Sequence, residues 1–407
     1  MAGSKTAKGQ SVLKMSRFSG MNNRLSDGEV LRPRAGGRTK VRDAVNVDFT
    51  DGGSLRRREG YERVVEGSDV HSLWSCRKGT FFVDSGSLKR FPNTTIFQGL
   101  SPRSRVSFTE YAGEVFFSDG VSVRKVREDG SVTLSGVPAP NPVPTAHAAS
   151  GGLAEGDYLV SFAAVGAAGE LSPTTWASKV RLPSGGGIRT SGISGPTNVY
   201  VSATNGDQMY LAGVFAQDIT IRTAPAQREQ PQTQGMVALP AGHILRSFRG
   251  RLLSAVGNTL VYSEPFAPAL HNPGRGFIPF PERITLVEPV ETGVYVCADK
   301  TYFLAGEDIE EATLRTIAPH SAVEGTSART EDGNGVMWYS EKGLVMADEE
   351  VANLQEEDIA VQGGSLGATL IRDLNGISQA LATVSNPETA SGAAASFMEA
   401  ELIRKEQ

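Results

Sequence analysis

Four carboxylates flank short apolar runs in the chain. Glu110 and Asp119 border YAGEVFFS, and Asp332 and Glu341 border GNGVMWYS. Brought together by folding, two such groups could serve as the acid and base of a glycoside-cleaving pair. Asp119, however, precedes Gly120, just as Asp51, Asp129 and Asp332 precede Gly52, Gly130 and Gly333. Asp before Gly is turn chemistry, because the carboxylate bonds nearby backbone and both residues tolerate left-handed φ. Turn capping is therefore the reading these residues carry. The histidines His71, His147, His243, His271 and His320 lack metal-ligand spacing. Cys76 and Cys297 share no motif, which predicts two reduced thiols rather than a disulfide framework or a thiolate metal site. No nucleophile elbow, phosphate loop, HExxH or dinucleotide fingerprint occurs. The expectation is no catalytic, cofactor-binding or metal residue, no cofactor and no enzyme. Arg56-Arg57-Arg58 is the densest basic cluster and suits a phosphate or the acidic face of a neighbouring subunit. No aromatic residues interleave with it to stack bases.

The elements that would position such residues are short strands. HSLWSCRKGTFFVDSGSLKRF reads as strand, Lys-Gly turn, strand, Asp-Ser-Gly turn, strand. VSFTEYAGEVFFSDGVSVRKV repeats the figure, and further copies begin near Ile244, Ile284 and Ser327. A small sheet has two faces to cover, and radial stacking of such sheets covers both. The predicted fold is mostly β: a β-propeller of about five to six blades, with a pair of packed sheets as the structural rival. GVPAPNPVPTAHAASGG interrupts the repeats, and alternating strands with Gly turns then suggest an inserted β-sandwich, fibronectin type III-like, over 150–224.

The expected organisation is an extended basic assembly arm over 1–60 and a first propeller part over 61–135. Linkers and the insert occupy 136–240, a second propeller part 241–360, and an acidic C-terminal segment 361–407. The arm holds thirteen Lys and Arg against six Asp and Glu, while 341–407 holds four against twelve. Opposite charge at the two ends favours head-to-tail contact. The whole chain of 407 residues carries a formal charge of −5, which weakens a nucleic-acid clamp. The first residues lack the apolar core of a secretory signal, and no apolar stretch is long enough to span a membrane.

FSGMNNRLSDGEVL followed by VRDAVNVDFTDGGSLRRREGYERV resembles the start of many tailed-phage virion proteins. In those proteins an Asn-Asn segment leads to an ANVD, Gly, RRxG segment. The matching residues are Asn22, Asn23, Asn46, Val47, Asp48, Gly53, Arg57, Arg58 and Gly60. RGRLLSAVGNTLVYSEPFAPALHN and GNGVMWYSEKGLVMAD look like later figures of the same group. Members include tail hub or nozzle proteins of short-tailed bacteriophages. The resemblance implies a structural virion protein with no turnover. Copies would form a ring, hexameric as in related hubs, between the portal-adaptor complex and distal tail components. Its channel would pass the genome, in transient non-sequence-specific proximity to double-stranded DNA. The protein would be made in the host cytoplasm and reside in the virion tail. Asn22, Asn23, Asn46, Asp48, Arg56, Arg57 and Arg58 are then the expected assembly contacts. The alternative reading is a propeller-type glycan- or receptor-binding protein, or a glycan-cleaving one.

Overall fold

The computed structural model describes residues 17–32, 38–50, 52–58, 60, 62–101, 104–226, 228–330, 335–348, 350–353, 358–360, 364–374, 377–385 and 396–401. Asp51 and Asp332 fall outside them. The protein is mostly β-strand, arranged as multiple small antiparallel sheets. Asp27–Val30 is the single α-helix among the described residues. The chain divides into two compact units. One is Val65–Ser321; the other combines Met1–Val64 with Ala322–Gln407.

Within 65–321, four sheets are four-stranded antiparallel meanders. The first comprises Val70–Cys76, Gly79–Asp84, Ser87–Arg90 and Thr94–Gln98, and the second Ser107–Tyr111, Glu114–Ser118, Val123–Val126 and Val132–Leu134. The third comprises Ile244–Phe248, Arg251–Val256, Thr259–Tyr262 and Phe277–Pro279, and the fourth Leu286–Val290, Gly293–Cys297, Thr301–Ala305 and Thr313–Ala318. Their second strands carry apolar runs such as Phe81-Phe82-Val83, Val115-Phe116-Phe117 and Val294-Tyr295-Val296, because both faces are covered. In Glu114–Ser118, Val115 and Phe117 join Phe81, Leu88 and Phe108 of one core. Phe116, pointing the opposite way, joins Leu245, Leu252 and Val261 of another. The third sheet repeats the arrangement, with Leu252 on that second core and Leu253 on a third shared with Val287 and Val294.

Hairpin turns fix the registers. Ser85-Gly86, Ala112-Gly113 and Arg249-Gly250 each place two successive residues at positive φ. That geometry matches the right-handed twist of the strands it joins. Gly293 and Gly335 serve otherwise: neither has positive φ, and an added Cβ would strike Leu304 O and the Thr330 side chain respectively.

Between the second and third meanders lie a three-stranded and a four-stranded sheet. They enclose a shared core that includes Leu153, Val160, Phe162, Leu182, Ile188 and Val199. The following segment bonds back to this part of the chain. There Thr233 Oγ1 donates to Ser172 O at 2.7 Å, and Leu211 N donates to Glu229 O at 2.8 Å.

In the other unit, Ala328–Arg329, Val336–Ser340, Gly343–Asp348 and Glu350–Asn353 form a fifth meander. Trp338 and Tyr339 are fully buried in it, and burial pushes the Tyr339 phenol up to about 12. Leu366–Leu374, Ile377–Ser385 and Ser396–Glu401 form a three-stranded sheet. Phe18–Met21 pairs in parallel with Thr39–Val41, and Val47–Phe49 pairs with Leu55–Arg57 as a hairpin.

Candidate functional site

The third and fourth strands of the first sheet are joined through RFPNTT, and the corresponding strands of the second through REDGS. A cavity of about 610 Å³ lies between these loops, lined by Arg90, Phe91, Thr94, Thr95, Asp129 and Ser131 among others. The second loop closes as a tight turn: Gly130 N donates to Arg127 O at 2.9 Å and Arg127 N to Ser131 O at 2.8 Å. Gly130 takes φ +83, a value that favours glycine. Asp129 Oδ1 accepts from Ser131 Oγ at 2.6 Å and Ser131 N at 2.9 Å. The Ser131 hydroxyl, then its amide, holds the Asp129 carboxyl below its usual range, so it is ionised at neutral pH. Arg90 lies along the Lys78-Gly79 turn, where its Nη2 donates to Lys78 O at 2.5 Å. A Cβ at Gly79 would stand 2.9 Å from Arg90 Nε, so the glycine leaves room for the guanidinium. Phe91 is half exposed at the rim. One cation, one anion, several hydroxyls and an aromatic ring therefore surround one concavity. Such a set can hold a small ligand rich in hydroxyls.

Two further polar groupings fix the sheets. Arg246 donates through Nε and Nη2 to Glu288 Oε1 at 2.8 and 2.6 Å, and through Nη1 to Ser107 Oγ at 3.2 Å. Those three residues belong to the first strands of the second, third and fourth sheets. Arg251 is buried with its guanidinium 5.4 Å from the Tyr262 ring centre, and ion-pairs with Glu310 at 3.2 Å. Arg275 grips both oxygens of Glu264 at 3.0 and 2.8 Å. Among the described residues, no group of three or more His, Cys, Asp and Glu could hold a metal ion.

The sequence-predicted residues fall into two groups in the unit built from the chain ends. Asn22 is buried, and its Nδ2 donates to Asp358 Oδ1 at 2.6 Å. Its Oδ1 accepts from the amides of Arg24 and Leu25 at 3.0 Å. Asn23 Nδ2 donates to Ala360 O at 3.0 Å, and Ala360 N donates to Asn23 Oδ1 at 2.6 Å. Lys40 pairs with Asp358. The second group occupies the hairpin. Asn46 has φ +56, its carbonyl accepts from Arg58 N at 2.9 Å, and Arg58 Nε meets Asp48 at 3.3 Å. Arg56 and Arg57 are exposed on the return strand. Glu110 and Asp119 do not form a pair at the cavity. Asp119 Oδ1 instead accepts from the amides of Val121 and Ser122 at 2.9 and 2.7 Å. Glu341 sits in an exposed turn.

Of the residues that line the cavity, Arg90 and Phe91 were legible only as the end of a strand, and Asp129 and Gly130 only as a turn. The available signal was positional: two consecutive repeats each place a basic residue, a turn and a hydroxyl residue after the third strand.

No protein-family model and no curated protein matches the chain. Solved structures do match. The periplasmic gluconolactonase of Pseudomonas aeruginosa is 11% identical with a TM-score of 0.29, over 82% of this chain and 95% of that one. A β-propeller domain of Swd1 from Myceliophteria thermophila is 11% identical with a TM-score of 0.23, over 52% and 67%. A structure of prolyl endopeptidases is 11% identical with a TM-score of 0.28, over 83% and 50%.

These findings correct the expectation of a phage tail hub or nozzle, because none of these proteins is a virion protein. The hexameric ring, the portal-adaptor and distal tail partners, the proximity to double-stranded DNA and the virion location fall with it. The physical reason lies in the motif itself. Asn46 and Gly53 occupy left-handed φ, and Arg58 closes on Asp48. These residue types answer to a tight hairpin and identify no lineage. The expectation of no enzyme is corrected alongside it, the matching structures including proteins named as a gluconolactonase and as prolyl endopeptidases, whose activities are said of those proteins alone. No described helix is long and apolar enough to cross a membrane.

Proposed function

We propose that this chain is a saccharide-binding protein built on a β-propeller, and that its ligand occupies the cavity between the first two sheets. The propeller reading is supported by the order of the meanders in 65–321. The first strand of each neighbours the first strand of the next, from Val70–Cys76 through Ser107–Tyr111 and Ile244–Phe248 to Leu286–Val290. Apolar strands covered on both faces accompany that order, as blades stacked about an axis require. The insert over 145–221 is read as a fibronectin type III-like sandwich, supported by its two sheets and shared core.

The observation that carries the ligand reading is the lining of the cavity: Phe91 offers a ring edge or face, Asp129 accepts from hydroxyls, and Thr94, Thr95 and Ser131 exchange hydrogen bonds. Sugars present apolar C–H faces and rings of hydroxyls, so they need both kinds of partner in one concavity. The test is retention of the full chain on an array of neutral and acidic oligosaccharides of about two to four residues, followed by titration calorimetry. Binding should weaken by about tenfold in Phe91→Ala and again in Asp129→Asn. An array with no retained saccharide, or binding indifferent to both changes, would refute the reading.

A further inference from the structure

Arg90 decides the charge of the ligand. It makes no ion pair among the described residues, and one of its five N–H donors is committed to Lys78 O. The described hydrogen bonds of the Asp129 carboxylate come from Ser131, through its hydroxyl and its amide, and none comes from Arg90. The cavity therefore holds a cation and an anion that do not neutralise each other. We infer that the bound saccharide is acidic, with a uronate carboxylate on the Arg90 guanidinium and ring hydroxyls donating to Asp129. This rests on the saccharide reading above and adds the chemical class.

A guanidinium presents two parallel N–H donors that match the two oxygens of a carboxylate. Its place at the Lys78-Gly79 turn supplies preorganisation, since the carbonyl and the absent Cβ of Gly79 fix where the planar group lies. A phosphate ester brings nearly two negative charges to a cavity with one such cation and a fixed carboxylate, so repulsion from Asp129 disfavours it. A neutral saccharide offers the free donors of Arg90 only uncharged hydroxyl oxygens, which make weaker bonds than a carboxylate does. A uronate satisfies both ends: its single charge goes to Arg90, and its hydroxyls, as donors, go to Asp129.

The experiment compares glucuronosyl-xylose and cellobiouronate, each carrying one carboxylate and each set beside its carboxyl-reduced counterpart, by calorimetry on the full chain. Reduction removes the charge and keeps the ring hydroxyls. At least one acid should bind about tenfold or more tighter than its reduced form, the difference shrinking at high salt. In Arg90→Gln, acid and reduced form should bind alike, at the level of the reduced form in the unaltered protein. Arg90→Lys should recover part of the preference, because the point charge remains and the fork does not. Arg90 is exposed, so the fold should tolerate these changes, and the thermal midpoint checks that. Equal binding of acid and reduced forms, or an equal loss for both in Arg90→Gln, overturns the acidic class and leaves saccharide binding standing. Failure of all four probes overturns the acidic class, and failure of the whole oligosaccharide array refutes the saccharide reading itself.

Discussion

Asp84 shows how much one side chain can be asked to do. Lys89 Nζ donates to it at 2.8 Å, and the amides of Ser68 and Asp69 donate at 3.2 and 3.3 Å. Lys89 first, then the Asp69 amide, lower its carboxyl to about 2. A carboxyl depressed in this way stabilises the fold fully above its unfolded value near 3.9, and the contribution is lost as pH falls through about 2. The acid limb of thermal stability should therefore lie below about pH 4. Asp84→Asn should lower the midpoint at neutral pH and flatten that limb. Scans between pH 2 and about 7 check both, and an unchanged limb would assign acid unfolding to other groups. Glycines at this scale divide by cause. Gly113 and Gly120 sit at φ +77 and +80 with open space where a Cβ would go, so alanine there should cost about 1 kcal/mol or more. Asparagine, which visits left-handed φ more readily, should cost less. At Gly293 the obstacle is Leu304 O, so asparagine should be no better than alanine. Urea midpoints of the six variants separate the two causes.

Among the elements, the first strands of the second, third and fourth sheets are tied by Ser107, Arg246 and Glu288. Glu288 is 4% exposed, so removing its charge leaves the Arg246 guanidinium without its main partner in a poorly hydrated place. Glu288→Gln should destabilise the unit by about 3 kcal/mol. Joint replacement by Leu at 288 and Met at 246 should cost less than the two single changes added, because no charge is then stranded. A double-mutant cycle in urea measures the coupling, and simple additivity would mean the pair is solvated. The repeated antiparallel sheet itself was readable in the repeats from His71 and Val106. Apolar runs such as VFF, bounded by Gly turns, admit few structures other than buried hairpin strands. Which face of each strand meets which neighbour was not readable, since alternation assigns sides without naming the partner.

For the whole molecule, the basic start and the acidic end meet within one chain. Asn22 and Asn23 hold Asp358 and Ala360 through side-chain bonds, and Lys40 pairs with Asp358. Truncation after residue 357 should therefore raise hydrogen exchange across residues 17–41 while leaving exchange in 65–321 unchanged. Protection of 17–41 that survives truncation would show that the parallel pair Phe18–Met21 with Thr39–Val41 holds the segment unaided. The charge asymmetry along the sequence was visible; that part of it closes inside the chain was not, because charge counts carry no geometry.

The sequence by itself determined the β class, the meander repeat, the interruption after the second repeat and the turn role of Asp119 and Asp129. Each depends on neighbours within a few residues, where backbone preference and side-chain periodicity act. Tertiary structure alone decided that Arg90 and Asp129 line one cavity, that Arg246 reaches Glu288, and that Asn22 is buried against Asp358. These contacts join residues separated by tens to hundreds of positions. They depend on how sheets stack and where loops end, which no local pattern specifies. The same limit explains the tail-hub expectation. Its residues from Asn46 to Arg58 answer to the hairpin they build, and Asn22 and Asn23 to contacts with Asp358 and Ala360, needs that many proteins share.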